Sequence, residues 1–183
     1  MKYIEAVEEY QPEVNDISVF FAGGITNCWD WQAALYYNLS KHDETDSLND
    51  LVCLNPRRKN FPIHDPKAAK EQIKWEFNLL DSVDIFSMYF TAGESDQPIC
   101  MYELGRNILR MQMRFPSDWF KRIIITCEEG YKRVNDVVIQ TCLAAGPLFE
   151  RYVTPVVSYD RNVCINSHAQ RIIEAYKYLE NKR

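Results

Sequence analysis

Short apolar runs alternate along this chain with stretches whose apolar residues recur every three or four positions. Ile17-Ser-Val-Phe-Phe-Ala22, Leu51-Val-Cys-Leu54, Asp84-Ile-Phe-Ser-Met-Tyr-Phe90, Arg122-Ile-Ile-Ile-Thr-Cys127 and Tyr152-Val-Thr-Pro-Val-Val157 read as five strands. Pro155 cannot donate to a ladder, which places the fifth strand at a sheet edge. Between them, Trp31, Leu35 and Leu39 mark a helix face over 30–40, capped by Asn27 or Asp30. Asp65-Pro66 starts a second helix with Ala69, Ile73, Phe77 and Leu80 as its expected core stripe. Trp75 lies about 200° round that helix from Ile73. With Ala68, Gln72 and Leu79 it forms a second face, expected to meet a neighbouring subunit or a substrate lid. A third helix runs from Pro98 to about residue 113, with Met101, Leu104, Ile108 and Met111 inward. A fourth spans Val134 to near Gly146, and a fifth Asn166 to Glu180 with Ala169, Ile172, Ile173, Tyr176 and Leu179 inward.

Five strands alternating with five helices predict an α/β fold. This is a three-layer, flavodoxin-like or Rossmann-like parallel sheet of five strands with helices on both faces. Residues 1–15 are polar and expected to form a peripheral arm, with 16–183 as a single domain. Residues 41–50 and 55–62 read as polar loops.

At 183 residues, 46% apolar and 26% charged, the chain has the composition of an ordinary globular domain. A net charge of −5 argues against nucleic acid as a partner. No apolar run approaches the ~20 residues that cross a bilayer, so no membrane partner is expected. The acidic N-terminus lacks a signal-peptide core, from which a cytoplasmic location is expected. Six cysteines without a C-x-x-C pair and only three histidines argue against a metal site. Several of the cysteines lie in apolar runs, where the reduced thiol is usual.

Two stretches carry candidate chemistry. Gly23-Gly24 follows the first strand directly and opens a helix. The pair matches neither the dinucleotide fingerprint nor the P-loop, but it lets a ligand approach the backbone closely. Asp84 opens a strand that ends in a loop holding Gly93, Glu94, Ser95 and Asp96. Glu103-Leu-Gly105 then lies early in the next helix, with Glu103 off the core stripe. Open α/β sheets bind ligands at the carboxyl ends of their strands, where Glu103 is expected. Arg57 and Arg58 sit just beyond another strand end, suited to an anionic or polar ligand.

Taken in order, Phe20-Phe-Ala-Gly-Gly-Ile-Thr-Asn-Cys-Trp-Asp-Trp-Gln32, Asn55-Pro-Arg-Arg58, Gln72-Ile-Lys-Trp-Glu76, Asp84-Ile85 and Glu103-Leu-Gly105 resemble the nucleoside 2-deoxyribosyltransferase-like family. Asp136-Val-Val-Ile-Gln-Thr141 is a weaker match. The resemblance implies cleavage of the N-glycosidic bond of a nucleoside or nucleotide, with the sugar passed to another base or to water. It implies no cofactor, a small-molecule nucleoside or nucleotide substrate and a homo-oligomer. Carried over, Glu103 is the nucleophile on the sugar and Asp84 orients or protonates the base. Gly23, Gly24, Asn55, Arg57 and Trp29 contact substrate. The family's acidic residue a few places before the nucleophile corresponds to Asp96 or to Gln97, and its C-terminal Asn has no clear counterpart.

The residue types fit that chemistry independently. Breaking a C1′–N bond builds positive charge on the sugar and negative charge on the base. A carboxylate under C1′ stabilises the first, and a second acid serves the second. Two alternatives stand beside this reading. One is an NAD-type glycohydrolase, with Arg57 and Arg58 on the pyrophosphate. The other is a ligand-binding module without turnover.

Overall fold

In the computed structural model, residues 1–62 and 64–183 are described, with backbone alone for 44–46. The sheet contains β1 (Lys2–Glu5), β2 (Ile17–Gly23), β3 (Leu51–Asn55), β4 (Ile85–Phe90), β5 (Ile123–Glu128) and β6 (Val156–Ser158). The order is β1-β3-β2-β4-β5-β6, and every pairing is parallel. The helices are α1 (Trp31–Asp46), α2 (Ala68–Ser82), α3 (Pro98–Arg114), α4 (Val134–Ala145) and α5 (Arg161–Glu180).

Successive strand residues face opposite sides, and that period sorts the core into two layers. Phe20, Ala22, Phe86 and Met88 pack with Leu80, Leu104, Ile108 and Val137, beneath α2, α3 and α4. Val19, Phe21, Ile85 and Tyr89 pack with Trp31, Leu35, Leu39, Ala169 and Ile172, beneath α1 and α5. The three-layer α/β architecture expected from the alternation is present, with six strands instead of five. The sixth is β1. It lies inside the expected N-terminal arm and pairs with β3 along Lys2 to Glu5. All four of its residues are half-buried, as suits an edge strand, and the segment carries no apolar run to announce it.

Three further expectations change. The loop at 41–50 is helical as far as Asp46, and Leu48 behind it is fully buried. The last strand begins at Val156, because Phe149–Val153 winds into a π-helical turn. In α2 the inward face is shifted: Leu80 is buried as expected, but Ile73 and Phe77 are 63% and 48% exposed. Trp75 and Leu79 instead pack on the core, Trp75 against Phe20 with its Nε1–H donating to the Glu8 carbonyl. The exposed side of Phe77 is covered by the guanidinium groups of Arg106 and Arg110.

Candidate active site

The chain runs from β2 outward to β3, then returns to β4 on the other side of β2. The connecting helices therefore depart to opposite faces beyond the carboxyl ends of β2 and β4. Such a switch point leaves a crevice in which open α/β sheets bind ligands. Here the crevice is a cavity of about 250 Å³. Its wall comes from Gly23 to Thr26 after β2, Pro56 after β3, Ser95 and Gln97 after β4, Glu76 of α2 and Glu103 of α3.

Local geometry explains the glycines. Gly23 has φ +152°, and a Cβ there would lie 2.3 Å from the Tyr89 carbonyl oxygen and 2.6 Å from the Trp31 ring. A Cβ on Gly24 would lie 2.5 Å from both Gln97 Oε1 and Cys28 Sγ. Trp31 stacks on Tyr89 and donates from Nε1 to the Gly24 carbonyl at 2.9 Å, which holds the turn against the sheet.

Gln97 forms the floor. It is buried, takes the left-handed conformation with φ 45°, and precedes Pro98 at the first position of α3. Its amide is fully engaged: Nε2 donates to the Thr91 carbonyl at 2.8 Å, and Oε1 accepts from Thr91 N–H at 3.3 Å. One and a half turns on, Glu103 projects from α3 into the cavity. Burial and, after it, the nearby Glu76 carboxylate push its carboxyl up to about 7, with Arg106 partly offsetting both. Glu76 is raised by burial as well, while Gln72 Nε2–H, donating to Oε1 at 2.9 Å, favours its ionised form. The same Gln72 amide donates to the Pro56 carbonyl and so ties α2 to the loop after β3. Two carboxyl groups thus line one partly desolvated cavity, and each is held above the usual carboxylate range. The lining contains no Lys, Arg or His among the described residues.

The predicted site residues thus separate. Glu103, Gly23 and Gly24 meet in the cavity. Asp84 does not: it precedes β4 at the amino end of the sheet, and its Oδ2 accepts from Ser18 N–H at 2.9 Å and Ser18 Oγ at 2.8 Å. Arg57 turns away to brace the loop after β2, donating to Gln32 Oε1 at 2.9 Å and the Trp29 carbonyl at 3.0 Å, with Asp30 beside it. Asn55 closes the turn beneath it, accepting from Arg57 N–H at 2.9 Å and donating to Arg57 O. Trp29 donates to the buried Glu128 at 2.8 Å, on the other side of the sheet. Asp96 is exposed and paired with Lys132, and Gln97 holds the inward position. Glu76 is the residue that sequence reasoning quoted without assigning it a role. Its signal was a charge on the α2 face that also carries Gln72 and Leu79, three or four residues apart.

Among the described residues no cluster of His, Cys, Asp and Glu is placed to hold a metal ion. No helix is long and apolar enough to cross a membrane. The family model described as nucleoside 2-deoxyribosyltransferase like matches residues 16–115, a span that holds β2 to α3 and the whole cavity wall. No curated protein matches the chain.

Proposed function

From its place in the nucleoside 2-deoxyribosyltransferase-like family, to which this chain belongs, we propose that it cleaves the N-glycosidic bond of a nucleoside through a covalent intermediate on Glu103. The observation that carries this reading is the Glu103 carboxylate, open to the switch-point cavity beside a second carboxyl group. With C1′ against Glu103, a carboxylate oxygen forms the bond to C1′ as the C1′–N bond breaks. The bond electrons leave with the base. Positive charge developing on the sugar favours ionised Glu103, so the proton of the pair stays with Glu76 and passes to the base nitrogen. In the second step an acceptor base or water attacks C1′. Glu103 departs as carboxylate, and Glu76 takes back the proton.

About 250 Å³ without a lining cation suits a nucleoside better than a dinucleotide with its pyrophosphate. Binding without turnover is the second reading. Gln97 supports it, since a neutral, fully hydrogen-bonded amide occupies the inward place where the family carries an acid.

A second copy of the chain is the proposed cover for the outer face of α3. Ile99, Tyr102, Leu109 and Met113 are each more than half exposed, beside Ile73 and Phe77 of α2 and Leu143 of α4. Gly105 lies in that face with nothing within 4 Å of a Cβ position, so no contact inside the chain accounts for a helix-weakening glycine. Leu109→Glu is expected to convert the oligomer to monomer in sedimentation.

The deciding experiment incubates the protein with deoxynucleosides, with and without an acceptor base, and identifies products by chromatography. Free base from the wild type and none from Glu103→Ala supports the reading. Base release by Glu103→Ala at the wild-type rate overturns it, and thermal stabilisation by nucleosides without any product establishes the binding module instead.

A further inference from the structure

A second cavity lies at the other end of the sheet. It measures about 350 Å³ and opens beside the amino half of β5. Its origin is topological. β6 pairs only with Thr126, Cys127 and Glu128, so the edge of Ile123–Ile125 has no neighbouring strand on that side. The chain passes this edge as the π-helical turn Phe149–Val153 instead. Turns of that type are rare and concentrate at functional sites.

The charges are arranged unevenly. Lys121 and Arg171 are half-buried in the wall, whereas Glu150, Glu174 and Arg151 are exposed at the rim. Arg171 donates from Nη1 to the Thr154 carbonyl at 2.6 Å. Among the described residues no carboxylate forms an ion pair with Arg171, Lys121 or Arg151. The Glu174 carboxylate accepts from Gln170 instead. Burial lowers the Arg171 pKa, and the Glu174 carboxylate at the rim only partly offsets it. Phe120, Tyr152 and Tyr178 supply flat walls, Phe120 and Tyr152 with ring centroids 4.6 Å apart and Tyr178 carrying Lys121 Nζ at 4.0 Å.

We propose that this cavity is a second ligand site, for a planar heteroaromatic ring that carries a phosphate group. Arg171 meets phosphate oxygens with its planar fork, Lys121 adds a point charge, and the ring packs against the aromatic wall of Phe120, Tyr152 and Tyr178. A volume of about 350 Å³ falls within the ~300–1,000 Å³ usual for small-molecule sites. The site shares no residue with the Glu103 cavity, so the proposal stands or falls independently of the glycosidic reading.

The probe is adenosine 5′-monophosphate, titrated calorimetrically into full-length Glu103→Gln protein, which removes turnover, and located by amide chemical-shift changes. The expected result is a site with shifts at Lys121, Tyr152 and Arg171, resolved from any at the residues around Glu103. Adenosine and inorganic phosphate should each bind at least about tenfold more weakly, since each lacks one half of the contacts. Lys121→Gln and Arg171→Gln should each weaken binding about tenfold, the worth of one charge-assisted hydrogen bond. Because Arg171 also anchors Thr154, Lys121→Gln decides if Arg171→Gln fails to fold. Shifts confined to the residues around Glu103, no binding at millimolar nucleotide, inorganic phosphate binding as tightly as the nucleotide, or undiminished affinity in folded Lys121→Gln would each overturn the proposal.

Discussion

The two cavities at opposite ends of the sheet are close in size and opposite in charge. The carboxyl-end cavity holds two carboxyl groups and no lining cation; the amino-end cavity holds two half-buried cations and keeps its acids at the rim. Burial raises the Glu103 and Glu76 carboxyls in the first and lowers the Arg171 guanidinium in the second. The same sheet can hold both because the carboxyl ends receive long βα loops, whereas the amino end is open only where β6 stops short.

The comparison is sharpened most by removing the Glu103 carboxyl. Glu103→Ala is expected to lower kcat for base release by on the order of 10³-fold or more, measured by product chromatography. The next effect is that of Glu76→Gln, with a loss on the order of 10²-fold, the usual size for one general acid. In wild type, activity should fall as pH increases through about 7, where Glu103 loses the last proton of the pair and none remains for the base. Glu76→Gln should abolish that fall and move the ionisation of Glu103 itself to lower pH, because the carboxylate that raises it is gone. An ionisation that stays in place breaks the coupling of the pair.

Stability provides a smaller effect with a definite sign. Glu103 has a folded pKa raised above its unfolded value, so its contribution is fully present below about pH 4.5 and is lost as pH rises through about 7. Glu103→Gln should therefore be more stable than wild type at pH 8, by on the order of 1 kcal/mol after solvent screening. The advantage should vanish by pH 4, as followed by denaturant melts. The smallest expected effect is that of Asp84→Asn. Loss of its hydrogen bonds to Ser18 should cost about 1 kcal/mol of stability and change kcat less than about threefold. A loss of 100-fold would place Asp84 in the chemistry.

Much of the site was legible because its residues follow strand ends directly. Gly23 and Gly24 terminate β2, and Glu103 lies in the second turn of the helix after β4, so local order alone carries them to the crevice. Arg57 and Asn55 also follow a strand end, yet they point into their own loop, where Gln32 and the Trp29 carbonyl take the guanidinium. Asp84 opens its strand instead of closing it, which puts it at the far end of the sheet. Helical period identified both faces of α2 but not which was inward: Ile73 and Phe77 are as apolar as Trp75 and Leu79, and only packing against Phe20 decides.

The sequence by itself determined the alternation of strands and helices, the parallel three-layer sheet that follows from it, and the placing of Glu103 near a switch point. These depend on hydrophobic period and chain direction, which are local. The tertiary structure decided that Glu76 is the second carboxyl, that Arg57 is a brace, and that a cationic cavity opens where β6 ends. Those depend on which side chains meet across separate elements and on how much water each charge loses there, and neither quantity is written in local spacing.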